Sequence, residues 1–183
     1  MTTGEAKFIV DAMLGSLARW LRILGYDTVY GSRMEDWLIL RRAELEGRII
    51  LTRDRGLHHK ALKRGLKSIL LQDDDLASML AKVSGLTGVR LYVDYERTRC
   101  PEDNTPLRKV DKEEVKDKVP PRVYSMHEDF WVCPRCGKVY WVGNHWKMIE
   151  SILGDARGKL GFFKGQLKRG MVNEPGAPFR ADA

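Results

Sequence analysis

The feature that most narrows the fold is a repeated alternation of short apolar runs with helical patterns across the first half of the chain. "KFIV" is followed by "MLGSLARWLRILG", where Leu14, Leu17, Ala18, Leu21 and Leu24 recur at helical spacing before Gly25 ends the pattern. "DTVY" then precedes "EDWLILRRAELEG", "RIIL" precedes "GLHHKALKRG", and "KSILL" precedes "DDLASMLAKVSG". Strands alternating with helices require right-handed crossovers, so the pattern predicts an α/β fold with a mostly parallel sheet covered by helices on both faces. Such sheets bind ligands beyond the carboxyl ends of their strands.

That rule draws attention to the acidic residues. Asp11 directly follows "FIV", Asp54 lies three residues past "IIL", and Asp73, Asp74 and Asp75 follow "ILLQ". Asp36 opens its helix on the side of Ile39, Leu40 and Ala43, at spacings of three, four and seven, and so leans toward the sheet. Each acid taken alone has a simpler role: an Asp at a helix start caps free backbone N–H groups, which suits Asp36, Asp54 and Asp74 or Asp75. Their convergence on one edge is different, because gathered carboxylates repel unless a divalent cation or a binding partner offsets them. A donor set of oxygens alone points to magnesium or manganese rather than zinc.

The chain has 183 residues, 43% of them hydrophobic, enough for one domain of ordinary size and a small accessory module. No apolar run approaches the roughly 18 residues needed to cross a bilayer, and the start "MTTGEAKFIVDAML" lacks a cationic lead and cleavage site. A cytoplasmic protein without membrane contact is expected. The formal charge of +7 is spread along the chain, consistent with a polyanionic partner and equally with an ordinary basic surface. Three cysteines, two of them at CxxC spacing, suggest a metal rather than a disulfide framework.

From Arg97 onward the pattern changes to two turns flanked by short β segments, "RTRCPEDNTPLRKV" and "FWVCPRCGKVYW", separated by a charged stretch and "VPPRVY". Cys-Pro-x-Cys-Gly is a zinc knuckle, in which backbone N–H groups steady two thiolates and Gly137 permits the tight turn. A redox CxxC expects a helix after the motif, whereas "KVYWV" reads as a strand. Structural zinc takes four ligands, and Cys100, Cys133 and Cys136 supply three.

"FIVDAMLGSLARWLRILGYD" together with "EGRIILTRDRGL" resembles the PIN-like ribonuclease domain found at the C-terminus of mutator-class exonucleases and as stand-alone prokaryotic proteins, where a zinc ribbon follows it. The likeness extends through "CPEDN", "CPRCGKVYW" and "GNHW" to about residue 153. It implies a metal-dependent ribonuclease using Mg²⁺ or Mn²⁺, with Asp11, Asp36 and Asp54 on three of the acidic positions. PIN nucleases usually add an acid from a helix between the first and third of these. Here only Asp27 and Glu35 are available, Asp27 reads as a turn residue, and the run from Asp73 is the alternative source. The resemblance also implies a second CxxC at the first knuckle, where "CPEDN" places Asp103 instead, so Asp103 is the expected fourth zinc ligand and His127 or His145 the substitutes, with loss of the metal a further alternative.

Arg19 and Arg22 on the first helix, with Arg53 and Arg55 beside Asp54, are candidates to grip RNA phosphates, against the simpler reading of solvated charges. His58 and His59 read as exposed helix residues, and His145 has packing near Trp141 and Trp146 as its simplest role. After residue 153, "GDARGKLGFFKGQLKRG" and the rest lack a sustained amphipathic period, so 154–183 is expected to be a flexible basic tail; its Lys, Arg and Phe residues also suit single-stranded RNA. The expected organisation is a nuclease domain over 1–95, a zinc ribbon over 96–153, and that tail. The expected function is RNA hydrolysis. The alternatives are a catalytically inert RNA-binding or ribosome-associated module and a ribbon that binds only proteins; the oligomeric state is open.

Overall fold

In the computed structural model, which describes residues 5–143 and 145–168, four parallel strands form the main sheet: β1 (Phe8–Asp11), β2 (Thr28–Gly31), β3 (Ile49–Thr52) and β4 (Ser68–Leu70). They alternate with helices α1 (Gly15–Ile23), α2 (Asp36–Glu46), α3 (Arg55–Lys63) and α4 (Leu76–Thr87), so the expected α/β fold is observed. Spatial order is β2-β1-β3-β4, with Phe8 opposite Thr28 on one side and opposite Ile49 on the other. The chain thus leaves β1 toward β2 and returns to its other side at β3, which puts the topological switch point between the carboxyl ends of β1 and β3.

Strand periodicity sorts the core into two layers. Phe8, Val10 and Leu51 pack with Leu17 and Leu21 of α1 and Leu80 of α4, while Ile9 and Ile50 face Ile39 and Leu40 of α2 and Leu57 of α3. Gly47 ends α2 in the left-handed region at φ 63°, where a side chain would be strained. Three short antiparallel strands follow, β5 (Arg108–Val110), β6 (Phe130–Val132) and β7 (Val139–Trp141), in that spatial order. The charged stretch after β5 folds into a 3₁₀ turn and the short helix α5 (Pro121–Met126), closing a satellite core of Val110, Val115, Val119 and Phe130.

A polar seam joins the two sheets. Arg22 is buried and donates to the carbonyls of Thr28 at 2.9 Å, Pro101 at 2.7 Å and Glu102 at 3.0 Å. Asn104, at φ 71°, accepts from Thr28 N at 3.0 Å and donates to Asp27 at 2.8 Å. Asp27 in turn pairs with the buried Arg48 through both carboxylate oxygens, at 2.9 and 3.0 Å. Burial opposes ionisation of Asp27, but the hydrogen bonds from Arg48 and Asn104 and the charge of Arg48 outweigh it and hold the carboxyl below its ordinary value of 3.8. A lowered folded-state pKa stabilises the seam above the unfolded value, and that contribution is lost as pH falls through the lowered one.

The flexible tail expected from residue 154 is corrected as far as Lys168. Helix α6 (His145–Lys168) begins within the expected 96–153 module and runs back across the layers of the parallel sheet against α4. Leu153 and Ala156 are fully buried in the layer of Phe8, Val10 and Leu80, with Leu160 packed against it, and Lys159 lies 2.9 Å from Asp75. The spacing of three and four among those apolar residues is helical, but Gly154, Gly158 and Lys159 dilute it in the sequence. Residues 169–183 of the expected tail lie outside the described residues. Leu153→Ala is expected to cost about 2–5 kcal/mol, lowering the melting temperature by roughly 2–4 °C per kcal/mol. An unchanged melting temperature would show that α6 does not dock. Among the described residues, no helix is long and apolar enough to cross a membrane.

Candidate functional site

Two candidate centres lie at different places on this fold. The first occupies the carboxyl edge of the parallel sheet. Asp11 is the last residue of β1 and only 7% exposed, its Oδ1 accepting from Met13 N at 2.9 Å and its Oδ2 from the hydroxyl of Thr52. The Thr52 hydroxyl also accepts from Asp54 N at 2.9 Å, so one buried side chain at the end of β3 links both acids. Asp54 is exposed and caps α3, accepting from Gly56 N at 2.5 Å and Leu57 N at 3.0 Å. The capping role weighed for Asp54 is therefore real, and it occupies one carboxylate oxygen, Oδ1. Asp75 likewise caps α4 through Ser78 N at 2.9 Å, whereas the cap position of α2 is Glu35 and leaves Asp36 as the first helical residue.

Lys60 reaches this edge from α3. Its ammonium donates to Asp36 at 2.8 Å, and that bond, followed by the charges of Asp36 and Asp54, raises its pKa above the ordinary 10.5. Asp73 follows β4; its Oδ1/Oδ2 carboxylate is 3.9 Å from Lys82 at the nearest, and its buried Oδ2 has no hydrogen-bond partner, nor has the buried Nε of Arg53. The structure thus joins the Asp11 carboxylate to the main chain of Asp54 through Thr52, and sets the Lys60 ammonium, bonded to Asp36, in the field of Asp54. Among the described residues it does not bring any three of these carboxylates within 4.8 Å of one another, a separation that only the cysteine-containing group meets.

The candidate phosphate-gripping arginines separate. Arg19 is 60% exposed and 3.4 Å from Glu102, and Arg55 is exposed beside Gln72. Arg53 donates to the carbonyl of Asp73 and ties β3 to the loop after β4. Arg22 is a correction: the sequence places it on a polar helix face, but the seam buries it, and its guanidinium is spent on three carbonyls. Burial lowers its pKa, against the pull of Cys100, Asp103 and Glu102. Thr52 and Lys60 escaped the sequence reading as linking groups. The "LTRDR" motif contains the Thr, but only its strand-end geometry reveals the shared hydroxyl.

The second centre is the group Cys100, Asp103, Cys133 and Cys136, whose ligand atoms all lie within 4.8 Å of one another. Cys100 N is held by Thr105 O at 2.8 Å and Cys133 N by Lys138 O at 2.9 Å, and Gly137 turns at φ 74°. Ligands about 2.3 Å from one tetrahedral ion stand roughly 3.8 Å apart, and the Cys100 and Cys136 sulfurs are separated by 3.7 Å. That is too long for a disulfide at about 2.05 Å. Asp103 comes within 3.3 Å of the Cys133 sulfur, as a shorter metal–oxygen bond requires. Burial opposes ionisation of Asp103, and hydrogen bonds from Thr105, Cys133 and Cys100 outweigh it, holding the carboxyl well below the usual range. The donor set suits a tetrahedral ion such as zinc, and the strand β7 after the knuckle favours that over a redox CxxC. His127 is not in this group, and the side chain of His145 lies outside what the structure describes. Tyr140, missed in the sequence, places its hydroxyl 3.1 Å from the Cys100 sulfur, and burial followed by that contact pushes its pKa up.

Thr52→Val keeps the shape of the side chain while removing the hydroxyl. It is expected to cost about 1–3 kcal/mol, since the buried Asp11 loses a donor. Unchanged stability in a denaturant titration would show that the Asp11–Thr52 bond contributes nothing.

A family model described as the Mut7-C RNAse domain matches residues 6–153 of the chain. No curated protein and no solved structure matches it.

Proposed function

The chain belongs to the Mut7-C RNAse domain family, and from that premise we propose that it is a metal-dependent ribonuclease of PIN-like type acting at the carboxyl edge of the parallel sheet. A zinc ribbon helps to hold the RNA. The observation that carries this reading is the shared Thr52 hydroxyl, which fixes Asp11 and Asp54 together at the topological switch point.

The oxygen donors of Asp11, Asp36, Asp54 and Asp73 are of the kind Mg²⁺ or Mn²⁺ takes, and since no three of them lie within 4.8 Å of one another, an ion here would be held by one or two carboxylates and keep several waters. The ammonium of Lys60 beside Asp36 and Asp54 supports the fit, because it shows this edge drawing positive charge. When bound, such ions lower the pKa of a water molecule and offset the charge that develops as a phosphodiester is displaced. The chain's own part is orientation. Asp11 is fixed by Met13 N and Thr52, Asp54 by the first turn of α3, and no side-chain nucleophile is required. Arg19 and Arg55, both exposed, are left to meet the phosphates flanking the scissile one, while Arg53 positions the Asp73 loop. Cys100, Asp103, Cys133 and Cys136 would hold the structural zinc of the ribbon.

Incubating the purified full chain with single-stranded RNA, with and without Mn²⁺, tests the reading. Cleavage only with the metal is the expected result. Salt-sensitive RNA binding with no cleavage under any divalent ion would replace it with the inert RNA-binding module.

A further inference from the structure

Three of the five tryptophans, Trp131, Trp141 and Trp146, line one surface cavity at the junction of the two sheets. Its volume is about 130 Å³. Tyr95 lies between two of them, its ring centroid 5.1 Å from that of Trp131 and 5.3 Å from that of Trp146, with interplanar angles of 23° and 30°. Trp141 remains 36% exposed. Its indole is seated against the chain, because a Cβ at Gly143 would meet Trp141 Nε1 at 2.8 Å; the glycine is there for space, not for an unusual φ. Tyr140, which also lines the cavity, ties it to the cysteine cluster through Cys100.

We infer that this cavity is a binding pocket for one unstacked nucleobase of a single-stranded RNA, remote from the carboxylate edge. The inference deepens the ribonuclease reading and rests on it for the identity of the polymer. Three properties select a base. A dry apolar cavity of about 150 Å³ accepts a benzene ring; this one, at about 130 Å³ and open to the surface, is of the size of one six-membered ring and too small for two. Tyr95 and Trp131 are covered by their own stacking, and the ring of Trp141, 36% exposed, with the partly exposed Trp146 beside it, offers the flat surface on which any base stacks without regard to sequence. Among the described residues lining it, Arg99 is the only charged one, and Lys109 lies 5.9 Å over the Trp131 ring. Arg99 is held by the carbonyl of Asn104 at 2.8 Å and Lys109 by Asp129 at 2.6 Å, so the otherwise apolar lining suits an uncharged base whose phosphate stays outside and disfavours an acidic ligand buried within.

The location sets a length requirement. α1 runs back from the carboxyl end of β1, so Ile23 at its far end, which lines the cavity, sits about 12 Å along the helix from Gly15, at 1.5 Å per residue. At roughly 3.4 Å per nucleotide of a stacked strand, about three to four nucleotides span the length of α1 between the pocket and the edge where Asp11 lies.

The test is binding of labelled oligouridylate to the full chain without divalent metal, read by anisotropy and by tryptophan quenching. Trp141→Ala is expected to weaken a ten-nucleotide strand about tenfold, reduce the quenching, and leave the salt slope unchanged, because stacking neutralises no phosphate. Duplex RNA, whose bases are paired, should bind both proteins alike. Gly143→Ala, which displaces the indole without deleting it, should shift tryptophan emission and weaken the same strand in the same direction. Equal affinity of wild type and Trp141→Ala for the single strand overturns the pocket. The ribonuclease reading fails separately: absent Mn²⁺-dependent cleavage with Trp141-dependent binding intact removes catalysis and leaves the pocket standing.

Discussion

Stripping metal from the cysteine cluster is expected to unfold the small antiparallel sheet and to destabilise the parallel sheet along with it. Zinc-finger peptides derive roughly 10–16 kcal/mol from zinc, as much as the whole stability of an ordinary domain at about 5–15 kcal/mol, and here β5 to β7 close only a satellite core of four buried residues. The effect should spread because the first knuckle also holds the seam. Pro101 and Glu102 present the carbonyls that satisfy buried Arg22, and Asn104 closes the free N–H of Thr28. Disordering residues 101–104 therefore leaves a buried guanidinium short of acceptors, at a cost of several kcal/mol. Treating the full chain with a chelator should lower the melting temperature by more than about 10 °C, at roughly 2–4 °C per kcal/mol. About one zinc per chain should be found beforehand by elemental analysis. Asp103→Ala, milder than loss of a cysteine, should weaken zinc binding while the chain still folds in excess zinc. No zinc after metal-replete purification, or a melting curve indifferent to the chelator, would remove the metal from this account.

Much of this architecture is legible in the sequence because the relevant signals are local. The strand runs of Ile, Val and Leu, the helical stripe from Leu14 to Leu24 and the knuckle around Gly137 each report on their own few residues, and each is found where it is expected. Asp103, expected beside the cysteines because the resemblance has a second CxxC where "CPEDN" stands, lies there. What was hidden depends on partners distant in the chain. Arg22 looks like a surface charge until residues 101 and 102 fold over it, and Lys60 meets Asp36 only because α2 and α3 lie side by side on one face of the sheet. The stripe of Leu153, Ala156 and Leu160 is real but sparse, and its glycines disguise a helix that packing on α4 stabilises. The carboxyl edge is intermediate. The topology puts four acids there, while their spacing follows from the caps and ion pairs each one makes.

Asp11→Asn and Asp54→Asn are each expected to abolish Mn²⁺-dependent RNA cleavage while leaving the fold and RNA affinity nearly unchanged. Asparagine is as good a helix cap as aspartate, so α3 keeps its first turn when Gly56 N and Leu57 N bond to an amide oxygen. At position 11 the amide oxygen can still accept from Met13 N or from Thr52. What both variants lose is the charge that would hold a divalent ion. A bound ion contributes several kcal/mol of charge stabilisation in the transition state, and at 1.36 kcal/mol per tenfold the expected fall in kcat/KM is at least about a thousandfold. Lys60→Ala separates charge from shape in the opposite sense. It removes the ammonium that competes for Asp36 and Asp54, so Mn²⁺ should activate at lower concentration, with the rate at saturating metal preserved. Calorimetric Mn²⁺ titration of the three variants, alongside the cleavage rates, distinguishes a metal site from a set of helix caps. If purified Asp54→Asn cleaves at the wild-type rate with contaminating nuclease excluded, Asp54 is only the cap of α3. If Asp11→Asn does so as well, the carboxyl edge is not where RNA is cut.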